Sequence, residues 1–113
     1  MAITCDEYNQ VCVIAVEGDL SNETCAQLRR GAVEHLDQRR LIHFVIDLAK
    51  SPFIDSEGLE TLLWLKGRCE DSFGHVKLVN LDDNCRKILE ITRLDHRFEA
   101  HGNLAEALKT MRS

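Results

Sequence analysis

The sequence has 113 residues, 44% hydrophobic and 29% charged, with a formal net charge of −5 and no cationic run longer than Arg39-Arg40. This balance describes one soluble globular domain, residues 1–113, and excludes a disordered chain, which would carry fewer apolar residues. The scarcity of clustered cations excludes a nucleic-acid footprint, and no stretch approaches the roughly 18 apolar residues of a membrane span.

The amino-terminal MAITCDEYNQ lacks the positive region and apolar run of a secretory signal, so a cytoplasmic location is expected. Ile3 to Tyr8 reads as an edge strand, turned back at Asn9-Gln10 onto a second strand, Val11-Cys12-Val13-Ile14-Ala15-Val16, which Gly18-Asp19 ends. Cys25, Leu28, Ala32 and Leu36 then recur at helical spacing, with Ser21 or Asn22 as the cap. A strand from Leu41 to Leu48 follows, ended before Ser51-Pro52. Leu59, Leu62, Leu63 and Lys66 mark a second helix, from near Asp55 to near Gly74. Val76 to Val79 is a further strand, and Cys85, Ile88 and Leu89 mark a third helix, capped by Asp82 or Asp83. A short extended piece near Arg97 to Glu99 precedes a last helix, marked by Leu104, Ala107, Leu108 and Met111 and capped by Asn103. Strands alternating with helices predict an α/β fold: a mixed β-sheet of four or five strands packed with about four α-helices.

The segment Phe53-Ile54-Asp55-Ser56-Glu57-Gly58-Leu59 concentrates the chemistry. A strand ends, Pro52 breaks it, and a helix opens whose first-turn N–H groups lack intrahelical acceptors and carry the positive end of the dipole. Asp55 or Ser56 can cap it, and Asp-Ser-Glu read alone is equally a good cap. A hydroxyl at such a mouth is also placed to carry phosphate, which would add about −1.5 to −2 of charge beside Asp55, Glu57 and Glu60. That reading requires the Ser56 oxygen to be reachable.

Asp55-Ser56-Glu57-Gly58-Leu59 after a strand resembles the signature of STAS domains, of which the anti-sigma factor antagonists are the single-domain type. Gly18-Asp19-Leu20, Val45-Ile46-Asp47-Leu48 and Val76-Lys77-Leu78-Val79 extend the resemblance over nearly the whole chain. It implies a partner switch rather than an enzyme. The unmodified protein binds a serine-kinase anti-sigma factor, the kinase phosphorylates Ser56 and the complex separates, and a phosphatase resets it. Asp55 is then the capping neighbour, Gly58 permits close approach, and Leu59 anchors the core. The expected partner surface comprises Asp19, Ser21, Asp55, Ser56, Glu57, Gly58, Glu60 and Trp64, on a monomer or weak dimer.

The chain departs from the family pattern in three places. Gly18-Asp19-Leu20-Ser21 stands where members often have Gly-Glu-Leu-Asp, Glu57 replaces a small residue, and Glu60 and Trp64 stand where small or apolar residues are usual. Ser56, Glu60 and Trp64 fall on one helical face, making it more acidic and bulkier. Trp64 is either an interface hot spot or packing against a neighbouring loop. The resemblance also admits a non-catalytic adaptor subunit of a larger complex, such as a stressosome or lipid-transport ATPase assembly.

Cofactors and metals are not expected. Phosphate-binding glycine patterns are absent, and no His or Cys pair has metal-ligand spacing among His35, His43, His75, His96, His101 and the five cysteines. His35 and His43 read as surface residues. Cys5, Cys12, Cys25, Cys69 and Cys85 are expected as reduced, small hydrophobes, with a thiol-based sensor as a minor alternative.

Overall fold

The computed structural model describes residues 2–111. Its five strands form one sheet in sequence order: β1 (Ile3–Tyr8), β2 (Val11–Glu17), β3 (His43–Lys50), β4 (Val76–Val79) and β5 (Glu99–His101). β1 and β2 are antiparallel, and the remaining neighbours are parallel. Tyr8 pairs with Val11, leaving Asn9 and Gln10 as a two-residue turn with φ of 49° and 68°. Two left-handed residues make the primed turn that matches the twist of a hairpin.

Four α-helices complete the α/β fold: α1 (Asn22–Val33), α2 (Ser56–Glu70), α3 (Asp83–Ile91) and α4 (Leu104–Thr110). α1 runs on into a π-helical turn over Glu34–Gln38. The consecutive apolar runs of β2 and β3 are explained by burial on both faces, as parallel strands require. On one face Cys12, Ile14, Phe44, Ile46 and Leu78 pack with Leu28 of α1, Leu62 and Leu65 of α2 and Leu89 of α3. On the other, Val11, Val13, Val45 and Val79 pack with Ala107 and Met111 at α4.

Several boundaries differ from expectation. β3 begins at His43, not Leu41, because the Leu41 N–H turns back to the His35 carbonyl (3.0 Å). It also runs past Leu48 to Lys50, whose pairing with Glu17 resumes the ladder after an irregularity. α2 stops at Glu70, short of Gly74, where the Gly74 N–H closes onto the Cys69 carbonyl (2.7 Å). The extended piece forms at Glu99–His101, two residues late, where it can pair with β4. His43 is no surface histidine: it is 6% exposed, and its ring stacks on His75 at 5.4 Å.

Candidate functional site at the mouth of α2

The carboxyl ends of β2 and β3 lead into two loops that are bonded to each other. The Gly18 N–H donates to the Lys50 carbonyl (2.8 Å), Leu20 to Phe53 (2.9 Å), and Asp55 to Leu20 (3.3 Å). Leu20 and Ile54, both buried, form a parallel bridge. This seam holds Asp19 and Ser21 beside Asp55–Gly58, at the strand ends where open α/β sheets place their sites.

Asp55 is the cap. Its backbone is extended (φ −92°, ψ −175°), and its Oδ1 accepts the Gly58 N–H at 2.8 Å. Ser56 is therefore the first helical residue, it is exposed, and its hydroxyl stays out of the cap. The first-turn N–H groups of Ser56 and Glu57 have no intrahelical acceptors. Gly58 is buried: a Cβ there would lie 2.3 Å from the Leu20 carbonyl oxygen and 2.7 Å from Ile54 Cγ2. The close approach that Gly58 permits is thus made by the chain's own loop, and the residue shapes the surface from beneath. Leu59 is buried in the core beside it.

The acidic residues divide into tethered and free. Glu57 Oε1 accepts the Asn22 N–H at 3.2 Å, reaching across the seam to the start of α1. Ser21 occupies the N-cap position of α1, but its side chain makes no capping bond. Asp19 and Glu60 are exposed. Trp64 is half-buried, with the guanidinium carbons of Arg29 and Arg68 at 4.9 and 5.8 Å from its ring. Arg68 also bonds Asp37 (2.9 Å). The indole is therefore packed against the core, with Arg29 of α1 and Arg68 of its own helix in cation–π contact with the ring. Phe53, 44% exposed in the loop before the cap, is an apolar neighbour of the site that the expected partner surface did not include. Asp47, within β3, accepts from the Ala49 N–H and Asn80 Nδ2, each at 3.0 Å, and so ties the strand to the residue that follows β4.

All five cysteines are free, and Cys12, Cys25, Cys69 and Cys85 are buried. Burial pushes the Cys69 and Cys85 thiols up to about 12, which keeps them unreactive. Cys5 differs. It is half-buried, and a hydrogen bond with Cys12 lowers its thiol to about 7 while raising that of Cys12. The two sulfurs and a ring nitrogen of His35 lie within 4.8 Å of one another, a grouping that sequence spacing did not predict. Among the described residues no helix is long and apolar enough to cross a membrane.

The fold recurs in solved structures. An anti-sigma-factor antagonist (STAS) domain protein from Planctomyces limnophilus superposes with a TM-score of 0.82 at 23% identity, over 98% of each chain. The anti-sigma factor antagonist SpoIIAA in its unphosphorylated form gives 0.84 at 20% identity, over 96% of this chain and 94% of that one. The Bacillus cell fate determinant SpoIIAA in its phosphorylated form gives 0.77 at 20% identity, over 98% and 100%. A family model described as Mlab, STAS domain matches residues 3–108. With its strand ends, cap and seam arranged in that fold, the chain belongs to the STAS-domain family.

Proposed function

We propose that this chain is a non-catalytic antagonist of an anti-sigma factor, switched by reversible phosphorylation of Ser56. The observation that carries the reading is the position of Ser56. Asp55 performs the capping, so the exposed Ser56 hydroxyl is spare at the positive end of α2. A phosphate there would gain N–H donors and add about −1.5 to −2 of charge beside Asp55, Glu57 and Glu60. The seam and the core lie beneath, so the modification alters the surface more than the fold. The existence of SpoIIAA structures in both phosphorylated and unphosphorylated forms, each sharing this fold, supports such a switch.

The partner in this reading is a serine kinase of the anti-sigma type, with a phosphatase to reset the state. It docks on Asp19, Ser21, Asp55, Ser56, Glu57 and Glu60, with the accessible edge of Trp64 and the exposed Phe53 as apolar contacts. In this reading the protein acts in the cytoplasm, monomeric or weakly dimeric. Ser56→Asp is expected to weaken the kinase complex at least about tenfold, near 1.4 kcal/mol, with an almost unchanged melting temperature. Ser56→Ala should bind and resist modification. Equal affinity of Ser56→Asp and the parent chain, by calorimetry, refutes the switch.

A second reading is favoured by the Mlab description of the matching family and by the carboxylates already surrounding Ser56. Here the domain is an adaptor in a larger assembly, of the stressosome or lipid-transport ATPase kind, and Ser56 is a helix-start residue only. Size exclusion of a native extract separates the two: a large complex that phosphatase and Ser56→Asp leave intact supports the adaptor.

A further inference from the structure

Away from the mouth of α2, the hairpin and the end of α1 converge on three metal-ligating side chains. Cys5 pairs opposite Ile14 and Cys12 opposite Glu7, so the two thiols are diagonal neighbours on one face of the hairpin. That face is the one packed against α1, since Cys12 lies in the same core cluster as Leu28 and Ala32 with Cys5 beside it. His35 reaches the pair from the π-helical turn that follows α1, a type of irregularity frequent at functional sites. Cys12 is fully buried, whereas Cys5 and His35 are half-buried, so the grouping has one open side.

Two further contacts organise it. A Cβ on Gly31 would lie 3.1 Å from Cys5 Sγ, so the missing side chain lets α1 settle against the thiol. His35 Nδ1 bonds the Gly31 carbonyl oxygen at 2.8 Å. A carbonyl only accepts, so Nδ1 carries the hydrogen, and in the neutral ring Nε2 is the nitrogen with the lone pair. Metal-binding histidines are held in this way, with the ring nitrogen that does not ligate donating to a backbone carbonyl or carboxylate.

We propose that Cys5, Cys12 and His35 form a three-ligand site for Zn²⁺, with its fourth position open to solvent. Two sulfurs and one imidazole suit a borderline-soft ion and offer Mg²⁺ or Ca²⁺ no oxygen ligand. Binding forms two S–Zn bonds and one N–Zn bond and releases the two thiol protons to solvent. Two thiolates neutralise Zn²⁺, which suits a half-buried pocket; a monovalent ion would leave a net negative charge there, near Asp6 and Glu34.

The test is titration of the reduced chain with Zn²⁺ alone by calorimetry, with Co²⁺ as a spectroscopic probe. One equivalent should bind, Co²⁺ should show thiolate charge-transfer and tetrahedral bands, and Zn²⁺ should protect Cys5 from alkylation. Cys5→Ser and His35→Gln should each weaken binding by at least about tenfold, the loss that even an outer-shell change causes; His75→Gln should leave it unchanged. The site is overturned if Cys5→Ser and His35→Gln bind as the parent does, or if a Cys5–Cys12 disulfide forms and no metal is retained. Absence of alkylation protection in the unmutated chain also overturns it, so the outcome does not depend on how the variants fold.

Discussion

Gly58 shows two opposing effects at one residue. Alanine in a helix interior is favoured over glycine by about 0.8–1 kcal/mol, yet a Cβ at this position would stand 2.3 Å from the Leu20 carbonyl. Overpacking costs about 1–3 kcal/mol, and backbone in a bonded seam yields less readily than a side-chain tip. Gly58→Ala is therefore expected to destabilise the fold by up to about 2 kcal/mol net, read from urea midpoints; a stabilised variant would show that the seam moves freely. His43 is the second case. Burial first, then His75 and Lys77, hold its imidazole below the usual histidine range. The native state thus resists protonating it. Stability is whole above the unfolded value of about 6.5 and declines as pH falls through the lowered folded value. Denaturation from about pH 8 to about pH 5 should reveal that decline, and His43→Gln should flatten it. An identical pH dependence in the variant would assign the decline to other groups.

At the scale of the element, α2 joins the candidate site to the core. Its cap is a single carboxylate contact, Asp55 Oδ1 to the Gly58 N–H, and its interior carries the buried Leu59, Leu62 and Leu65. Asp55→Ala should cost about 1 kcal/mol, while Asp55→Asn, which also caps, should retain most of the stability. Chemical denaturation of the pair distinguishes them, and equal midpoints for Asp55→Ala and the parent would mean the cap contributes nothing. α1 begins differently. Its expected cap, Ser21, makes no side-chain bond, and Glu57 of α2 accepts the Asn22 N–H instead. The two helix starts are thereby coupled, so a charge change at one is felt at the other.

For the whole molecule, the net charge of −5 and the exposed Asp19 and Glu60 make the α2 mouth an acidic surface. A partner that docks there presents cations, and screening acts mainly on the encounter. Its association rate should fall as salt rises from about 0.05 M to about 0.5 M, with Glu60→Gln reducing that dependence. Stopped-flow or surface-binding kinetics would measure it, and a rate indifferent to salt would point to an apolar contact centred on Phe53 and Trp64.

The sequence by itself determined the element order, the α/β class, the hairpin at Asn9-Gln10 and the cap Asn103, and it narrowed the cap of α3 to Asp82 or Asp83, of which the structure uses Asp82. It also located the helix mouth carrying Ser56. Apolar periodicity, capping and turn chemistry act within a turn or two of chain, so these are legible locally. Strand ends at Lys50 and His101 were less legible, because a ladder stops where its partner stops. Only the tertiary structure decided that Glu57 serves Asn22, that Trp64 packs on Arg29, that His43 is buried, and that Cys5, Cys12 and His35 meet. Each of these contacts joins residues from separate elements, and which elements meet is set by how the helices close over the sheet, not by any short run of residues.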